Sequence, residues 1–212
     1  MFADDPRESL RRAVRARVPD RRVCDALLDV PREIYVGEAW RPFAWEDRAL
    51  PLAEGATISQ PTLVALMTAA LEPHPDDTML DVGTGSGYQA AVLGRLVRRV
   101  FGIEVQASLA HRARANLRAD PGITARVELV IGDAWRGFPG RLRFDGIVVA
   151  AAVPRVPRAL VEQLAPGGRL LAPVGPPGLQ ELIRFRRDAD GSLAQEALGG
   201  CAFVPLVDGA RR

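Results

Sequence analysis

The chain has 212 residues, of which 48% are hydrophobic, with 28 basic and 26 acidic side chains. All 28 basic residues are arginine. The absence of lysine excludes the lysine-containing phosphate loop, Schiff-base catalysis and the Ser-x-x-Lys hydrolase motif. A chain of this length usually forms one domain, and a net charge of +2 does not indicate a nucleic-acid partner.

The few cysteines and histidines indicate neither a disulfide framework nor a metal site. Cys24 and Cys201 lie far apart in sequence, and His74 and His111 are isolated. The chain starts with acidic and polar residues, whereas a signal peptide needs a basic end followed by an apolar stretch. No apolar run approaches the ~18–20 residues of a membrane span. We therefore expect a cytoplasmic monomer that binds no metal, no membrane and no nucleic acid.

Residues 1–60 predict a small helical segment that borders the functional site. Apolar positions over residues 8–30 recur at helical spacing with a break at Pro19, which predicts two short helices. Residues 31–58 are rich in proline and are interpreted as loop. Three aromatic side chains in that loop are interpreted as exposed: Tyr35, Trp40 and Trp45.

Residues 61–212 predict an α/β core. A helix is expected to begin at Pro61, since proline is favoured in a first helical turn. Beyond it, short apolar runs alternate with helical stretches, which is typical of a parallel sheet covered on both faces. The predicted strands are 79–82, 99–105, 126–132, 144–152 and 168–175, and the predicted helices are 88–97, 107–118 and 157–164.

The end of the chain predicts a different strand arrangement. Two apolar runs, 179–187 and 194–206, flank a turn at 188–191, which favours an antiparallel hairpin. The whole chain, 1–212, is therefore expected to form one domain. Its predicted fold is Rossmann-like and doubly wound, with a mostly parallel sheet closed by a C-terminal antiparallel hairpin and a small N-terminal helical segment.

The strongest local signal is the glycine-rich turn DVGTGSGY (81–88) between a predicted strand and a predicted helix. Glycines at such a turn let the backbone approach a ligand closely. The third glycine comes one residue earlier than in the nicotinamide fingerprint G-x-G-x-x-G, and Asp81 would place negative charge beside a pyrophosphate. S-adenosylmethionine fits better, because it carries an amino group and a sulfonium and has no phosphate.

Two further acids stand where a nucleoside would need them. Glu104 ends the second predicted strand of the core, where an acid binds ribose in nucleotide-binding sheets. Asp133 follows the third strand, where its carboxylate could accept a hydrogen bond from an adenine amino group. The alternative is that both are ordinary acids at strand ends. Together with the turn, they indicate a cofactor site.

Four segments carry a resemblance to a known family: WEDRALP (45–51), GATISQP (55–61), DVGTGSGYQAAVLG (81–94) and FVPL (203–206). The chain resembles the protein-L-isoaspartate O-methyltransferase family from about residue 30 to residue 206. The resemblance implies methyl transfer from S-adenosylmethionine, with S-adenosylhomocysteine as product. The implied acceptor is the free α-carboxylate of L-isoaspartyl residues in damaged proteins and peptides, whose repair begins with this step.

The resemblance also implies roles for particular residues. Ser59 matches the active-site residue, and Thr57, Ile58 and Ser59 would line the reaction centre between cofactor and substrate. Val204 belongs to a segment that would hold the substrate peptide by its backbone, as in strand-like recognition. The implied cofactor residues are Thr57, Ile58, Asp81, Gly83, Gly85, Gly87, Glu104, Val105, Asp133 and Ala134.

The chain departs from the usual family pattern mainly at substrate-facing positions: Ala53, Glu54, Ala56, Thr62, Ala134, Cys201 and Ala202. Two alternative functions therefore stay open, a carboxylate methyltransferase with one dedicated peptide substrate and a cofactor-binding adaptor without catalysis. Relatives with a dedicated substrate tend to carry an added C-terminal region, whereas this sequence stops six residues after Leu206. We therefore expect the repair enzyme. Ser59 could also merely cap the next helix.

Overall fold

The computed structural model describes residues 5–120, 122 and 126–209. The two predicted N-terminal helices are present, as α1 (Pro6–Arg17) and α2 (Arg21–Asp29). Each begins after an aspartate, Asp5 or Asp20, whose carboxylate accepts a hydrogen bond from a first-turn backbone N–H. None of the helices within these ranges is both long and apolar enough to cross a membrane.

The segment predicted as loop contains short elements. They are helix α3 (Arg32–Tyr35), a 3-10 helix (Glu38–Phe43), and strands β1 (Leu50–Pro51) and β2 (Thr57–Ile58), which pair antiparallel. The interpretation of Tyr35 as exposed is wrong. Its ring is buried 5.7 Å from that of Tyr88, and its hydroxyl donates to Asp120 at 3.4 Å. The apolar body of a tyrosine can fill a core when its hydroxyl finds a partner.

The core is a seven-stranded sheet in the order β5-β4-β3-β6-β7-β8-β9. The first five strands in this order are parallel, and β8 and β9 form the predicted antiparallel hairpin. The strands are β3 (Thr78–Val82), β4 (Arg99–Glu104), β5 (Val127–Ile131), β6 (Phe144–Val149), β7 (Leu164–Val174), β8 (Gln180–Arg187) and β9 (Leu193–Cys201). The helices of the core are α4 (Pro61–Ala70), α5 (Tyr88–Gly94), α6 (Ala107–Ala119) and α7 (Arg158–Glu162).

Alternate residues of the central strand β3 enter two separate apolar cores. Met79 packs with residues of α1, α2, α4 and α5 on one face, whereas Leu80 packs with Leu160 of α7 on the other. The sheet is therefore covered on both faces, as predicted. The division of the chain at residue 60 stays a prediction.

Two strands end earlier than predicted, and this shapes the functional site. β6 ends at Val149 and β9 ends at Cys201, so residues 150–152 and 202–206 lie outside the regular strands. The chain after β9 instead returns to Ala152, whose N–H donates to Val204 O at 2.8 Å and whose carbonyl accepts the N–H of Leu206 at 2.8 Å. This return places the FVPL segment at the carboxyl end of β6.

Candidate active site

A cavity of about 290 Å³, here called the turn cavity, lies where the parallel strands β3 to β6 end. Ligands of open α/β sheets bind at this edge. Residues 54–57 and 204–207, which lie outside the seven-stranded sheet, also line the cavity. The lining residues at or just after the strand ends are Gly83, Gly85, Glu104, Val105, Gln106, Gly132, Ala134, Ala150 and Ala151.

The glycine-rich turn forms one wall of the turn cavity. Gly85 has φ of 54°, a left-handed conformation that glycine adopts without a steric cost. Gly87 has φ of 89° and precedes α5, but it does not line the cavity. A Cβ at Gly87 would lie 3.4 Å from Ala113 Cβ, so this glycine lets α5 and α6 approach each other closely.

Glu104 is buried beside the turn and holds two backbone groups. Its Oε2 accepts the N–H of Gly85 at 3.0 Å, and its Oε1 accepts the N–H of Gln106 at 2.9 Å. A carboxylate oxygen has two lone pairs, so each oxygen can accept one more hydrogen bond. The donors of a ribose diol match this free capacity.

Asp81 lies under the turn rather than on the cavity wall. Its side chain is completely buried, and neither carboxylate oxygen has a hydrogen-bond partner among the residues that the structure describes. Burial, together with the nearby charge of Glu104, raises the pKa of Asp81 to about 7. An unpartnered buried carboxylate is costly, and a cation bound at the turn would reduce that cost. These residues fit a ligand with a cationic end.

Asp133 and Ala134 are neighbours in sequence, but only one of them lines the turn cavity. Ala134 lines it, whereas Asp133 lies outside and caps a 3-10 helix (Ala134–Arg136) by accepting the N–H of Trp135 at 2.9 Å. The structure therefore brings Ala134, but not the Asp133 carboxylate, to the cavity wall.

Ser59 lines a second cavity of about 410 Å³, here called the Ser59 cavity. Thr57 borders both cavities, and Ile58 between them is buried. The other lining residues include Arg17, Gln60, Thr62, Leu63, Cys201 and Phe203. The segment 57–59 therefore separates a cavity lined by the glycine-rich turn from one that opens beside the end of β9.

The alternative that Ser59 caps the following helix is wrong. Gln60 is the residue that precedes α4, and it makes no capping hydrogen bond through its side chain. The Asp47 carboxylate serves the start of α4 instead, because its Oδ1 accepts the N–H of Thr62 at 2.9 Å. The hydroxyl of Ser59 thus has no capping role.

Several cavity residues were not predicted from the sequence. Ala150 and Ala151 directly follow β6, and the strand-end argument used for Asp133 would have found them. Leu206 and Val207 reach the turn cavity only because the chain returns past Ala152. Within the described residues, no group of three or more His, Cys, Asp or Glu side chains could hold a metal ion, and Cys24 and Cys201 are free.

The sheet order and the cavity at its carboxyl edge define an α/β methyltransferase fold. The fold matches a solved protein-L-isoaspartate O-methyltransferase with a TM-score of 0.86 and 26% identity, over 96% of this chain and 66% of that one. It also matches a Plasmodium falciparum structure, assigned to the same activity and determined with S-adenosyl-L-homocysteine, with a TM-score of 0.83 and 24% identity, over 96% of this chain and 99% of that one.

The sequence comparison is more specific than the fold. The family model for protein-L-isoaspartate(D-aspartate) O-methyltransferase matches residues 8–211. The protein-L-isoaspartate O-methyltransferase of Methanoculleus marisnigri is 46% identical over 92% of this chain and 87% of its own length. That of Roseiflexus sp. is 48% identical over 98% and 94%. The chain belongs to the protein-L-isoaspartate(D-aspartate) O-methyltransferase family.

Proposed function

We infer that this chain transfers the methyl group of S-adenosylmethionine to the free α-carboxylate of L-isoaspartyl residues in damaged proteins and peptides, which begins their repair. The observation that carries this proposal is the pair of cavities that share Thr57, one lined by the glycine-rich turn and the other by Ser59. A methyl donor in the first and a carboxylate in the second would face each other across that residue. Membership of the family supports the same reaction.

We assign the cofactor to the turn cavity. When bound, S-adenosylmethionine supplies a methyl group on a positively charged sulfur and leaves as S-adenosylhomocysteine. Glu104 accepts hydrogen bonds from the ribose hydroxyls with the lone pairs that Gly85 and Gln106 leave free. Asp81 provides negative charge near the cationic methionine end. Val105 and Ala134 line the nucleoside side, together with neighbouring strand-end residues.

We assign the substrate to the Ser59 cavity. A carboxylate is ionised at neutral pH, since its ordinary pKa is near ~4, and it attacks a sulfonium methyl without a general base. Catalysis then consists of alignment and exclusion of water. In this proposal the Ser59 hydroxyl donates a hydrogen bond that orients the attacking carboxylate. Thr57 lies between the reactants, and Val204 borders the path of the peptide on the cofactor side.

The cellular setting belongs to the same proposal. We propose a cytoplasmic enzyme that acts as a monomer on isoaspartyl proteins and peptides. The near balance of 28 basic and 26 acidic side chains favours the absence of a nucleic-acid partner.

Radiolabelled S-adenosylmethionine tests the proposal with paired peptides that carry isoaspartate or aspartate at one site. We expect a base-labile methyl ester on the isoaspartyl peptide alone. Ester on both peptides would contradict the acceptor that we propose. Ester on neither, while the cofactor still binds, would favour a dedicated substrate or an adaptor.

A further inference from the structure

Arg32 is completely buried on α3, which is rare for a charged side chain. Its guanidinium binds four main-chain carbonyl oxygens. Nη1 donates to Ala44 at 2.5 Å and to Glu46 at 3.4 Å, and Nη2 donates to Arg48 at 3.1 Å and to Ser59 at 3.0 Å. One guanidinium therefore joins the carbonyl of Ser59 to the segment 44–48.

The same guanidinium also packs against the glycine-rich turn. Its central carbon lies 5.6 Å from the ring centre of Tyr88, the first residue of α5, which directly follows Gly87. Tyr88 is itself buried, and its hydroxyl donates to Leu27 O at 3.4 Å. Arg32 thus contacts both the end of the glycine-rich turn, which lines the turn cavity, and Ser59, which lines the Ser59 cavity.

Asp47 extends the contact to the residues that follow Ser59. It lies between Glu46 and Arg48, whose carbonyls Arg32 binds. Its Oδ1 accepts the N–H of Thr62 at 2.9 Å, and its Oδ2 accepts the Thr62 hydroxyl at 2.5 Å and the Gln60 side-chain amide at 3.0 Å. The chain around Ser59 is therefore held directly by Arg32 and indirectly through Asp47.

We propose that Arg32 is a positioning residue for methyl transfer, which holds Ser59 and the start of α4 at a fixed distance from the glycine-rich turn. This rests on the proposed function. The planar fork of arginine binds several carbonyls at once, whereas lysine offers a point charge on a flexible stem. Burial lowers the pKa of Arg32 and so opposes its charge, and Nε has no hydrogen-bond partner among the described residues; the four carbonyls offset part of this cost. A small displacement of an aligning group can cost large factors in rate.

The test compares Arg32→Lys with Arg169→Lys. Arg169 is the control, because its guanidinium donates to Leu71 O and Glu72 O, both at 2.6 Å, and pairs with Asp77 at 3.4 Å, so it holds the end of α4 opposite the one that follows Ser59. Both variants keep the positive charge and lose the planar guanidinium that binds several carbonyls at once. The kcat for an isoaspartyl peptide, the KM for S-adenosylmethionine and the Kd for S-adenosylhomocysteine are measured at a temperature where circular dichroism shows both variants folded.

We expect Arg32→Lys to lower kcat about tenfold or more, with both cofactor constants within about twofold of the unchanged protein. Arg169→Lys should lower the Tm and leave kcat unchanged. An unchanged kcat in Arg32→Lys, or an equal loss in Arg169→Lys, would overturn the proposal. An inactive unsubstituted protein would instead contradict the proposed function.

Asp47→Asn keeps the proposal testable if Arg32→Lys does not fold. It replaces one of the two carboxylate oxygens that accept hydrogen bonds from Gln60 and Thr62, and it leaves the guanidinium of Arg32 in place. Asp145→Asn is its control, because Asp145 accepts the N–H of Thr78 at 2.9 Å at the far edge of the sheet. A lower kcat in Asp47→Asn alone, with cofactor affinity retained, supports the proposal. An equal kcat in the two variants overturns it.

Discussion

The N–H of Gly85 donates a hydrogen bond to Oε2 of Glu104 at 3.0 Å, so the glycine-rich turn after β3 is tied to the acid that ends β4. The two residues are nineteen positions apart and both line the turn cavity. This hydrogen bond fixes the turn relative to Glu104, the side chain that we propose binds the ribose.

Glu104→Gln should weaken the binding of S-adenosylhomocysteine by about 1.5–3 kcal/mol, the usual worth of hydrogen bonds to a charged group. The glutamine amide has only one accepting oxygen, and its NH2 group would face an N–H or a ribose hydroxyl, which are themselves donors. Titration calorimetry measures the loss. Glu128→Gln is the control, since Glu128 lies on β5 with its side chain 62% exposed, and it should bind normally. Equal affinities of the two variants would exclude Glu104 from the cofactor site.

Asp81→Asn should change the pH dependence of stability. The pKa of Asp81 is raised from 3.8 to about 7, so the protonated form favours the folded state. The free energy of unfolding of the ligand-free protein should therefore carry a contribution that is complete below about pH 4 and is lost as the pH rises through 7. Its slope is at most about 1.4 kcal/mol per pH unit. Urea unfolding from pH 4 to 8 should show this loss in the unsubstituted protein and not in the variant.

Binding of a cationic ligand should show the opposite pH trend. The sulfonium and ammonium of S-adenosylmethionine favour ionised Asp81, so the affinity for S-adenosylmethionine should rise as the pH increases towards 7, with a proton released from Asp81 on binding. Asp81→Asn should bind more weakly and with a flatter profile over the same range. A variant whose affinity keeps the original pH profile would show that another group titrates.

Ser59→Ala should lower kcat and leave the affinity for S-adenosylhomocysteine nearly unchanged, because Ser59 lines the cavity that we assign to the substrate. Loss of a single orienting hydrogen bond predicts a decrease of roughly tenfold or more. Steady-state kinetics and calorimetry on the same preparation separate the two effects. Lost cofactor binding with normal turnover would refute the assignment.

Gly102→Ala should destabilise the protein by about 1–3 kcal/mol through overpacking. Gly102 lies beside Asp81 in the sheet, and a Cβ there would overlap Leu129 and lie 2.6 Å from Thr84 Oγ1. Gly200→Ala is the control on β9, where the nearest atom to a Cβ is Gln180 O at 4.0 Å. Urea unfolding should place Gly200→Ala close to the unsubstituted protein. Similar stabilities would mean that β4 adjusts without cost.

The parts of the fold that the sequence predicted depend on local patterns. Strand and helix alternation placed the parallel sheet, and the spacing from Gly83 to Gly87 placed the turn between β3 and α5, because such a turn needs left-handed backbone. The hairpin of β8 and β9 followed from a turn signal between two apolar runs. The strand ends then brought Glu104 and Ala134 to one cavity.

The parts that were missed depend on contacts between distant segments. An arginine in a polar stretch is usually solvated, so the burial of Arg32 could not be inferred without the four carbonyls that surround it. The burial of Tyr35 depends on Tyr88 and Asp120. The Ser59 cavity depends on residues 200–203 at the end of β9, which are distant in sequence and line it together with Ser59.

The most direct measurement follows a single-site isoaspartyl peptide over time with the protein and excess S-adenosylmethionine, and separates its isoaspartyl and aspartyl forms by chromatography. Methoxide leaves an ester more readily than hydroxide leaves a free acid, so the backbone nitrogen of the next residue attacks the methyl ester, closes the cyclic imide and releases methanol. Water then reopens the imide in part to normal aspartate. We predict that the isoaspartyl fraction falls steadily and the aspartyl form appears, only when protein and cofactor are both present. An isoaspartyl fraction that stays constant while S-adenosylmethionine is bound would contradict the repair function.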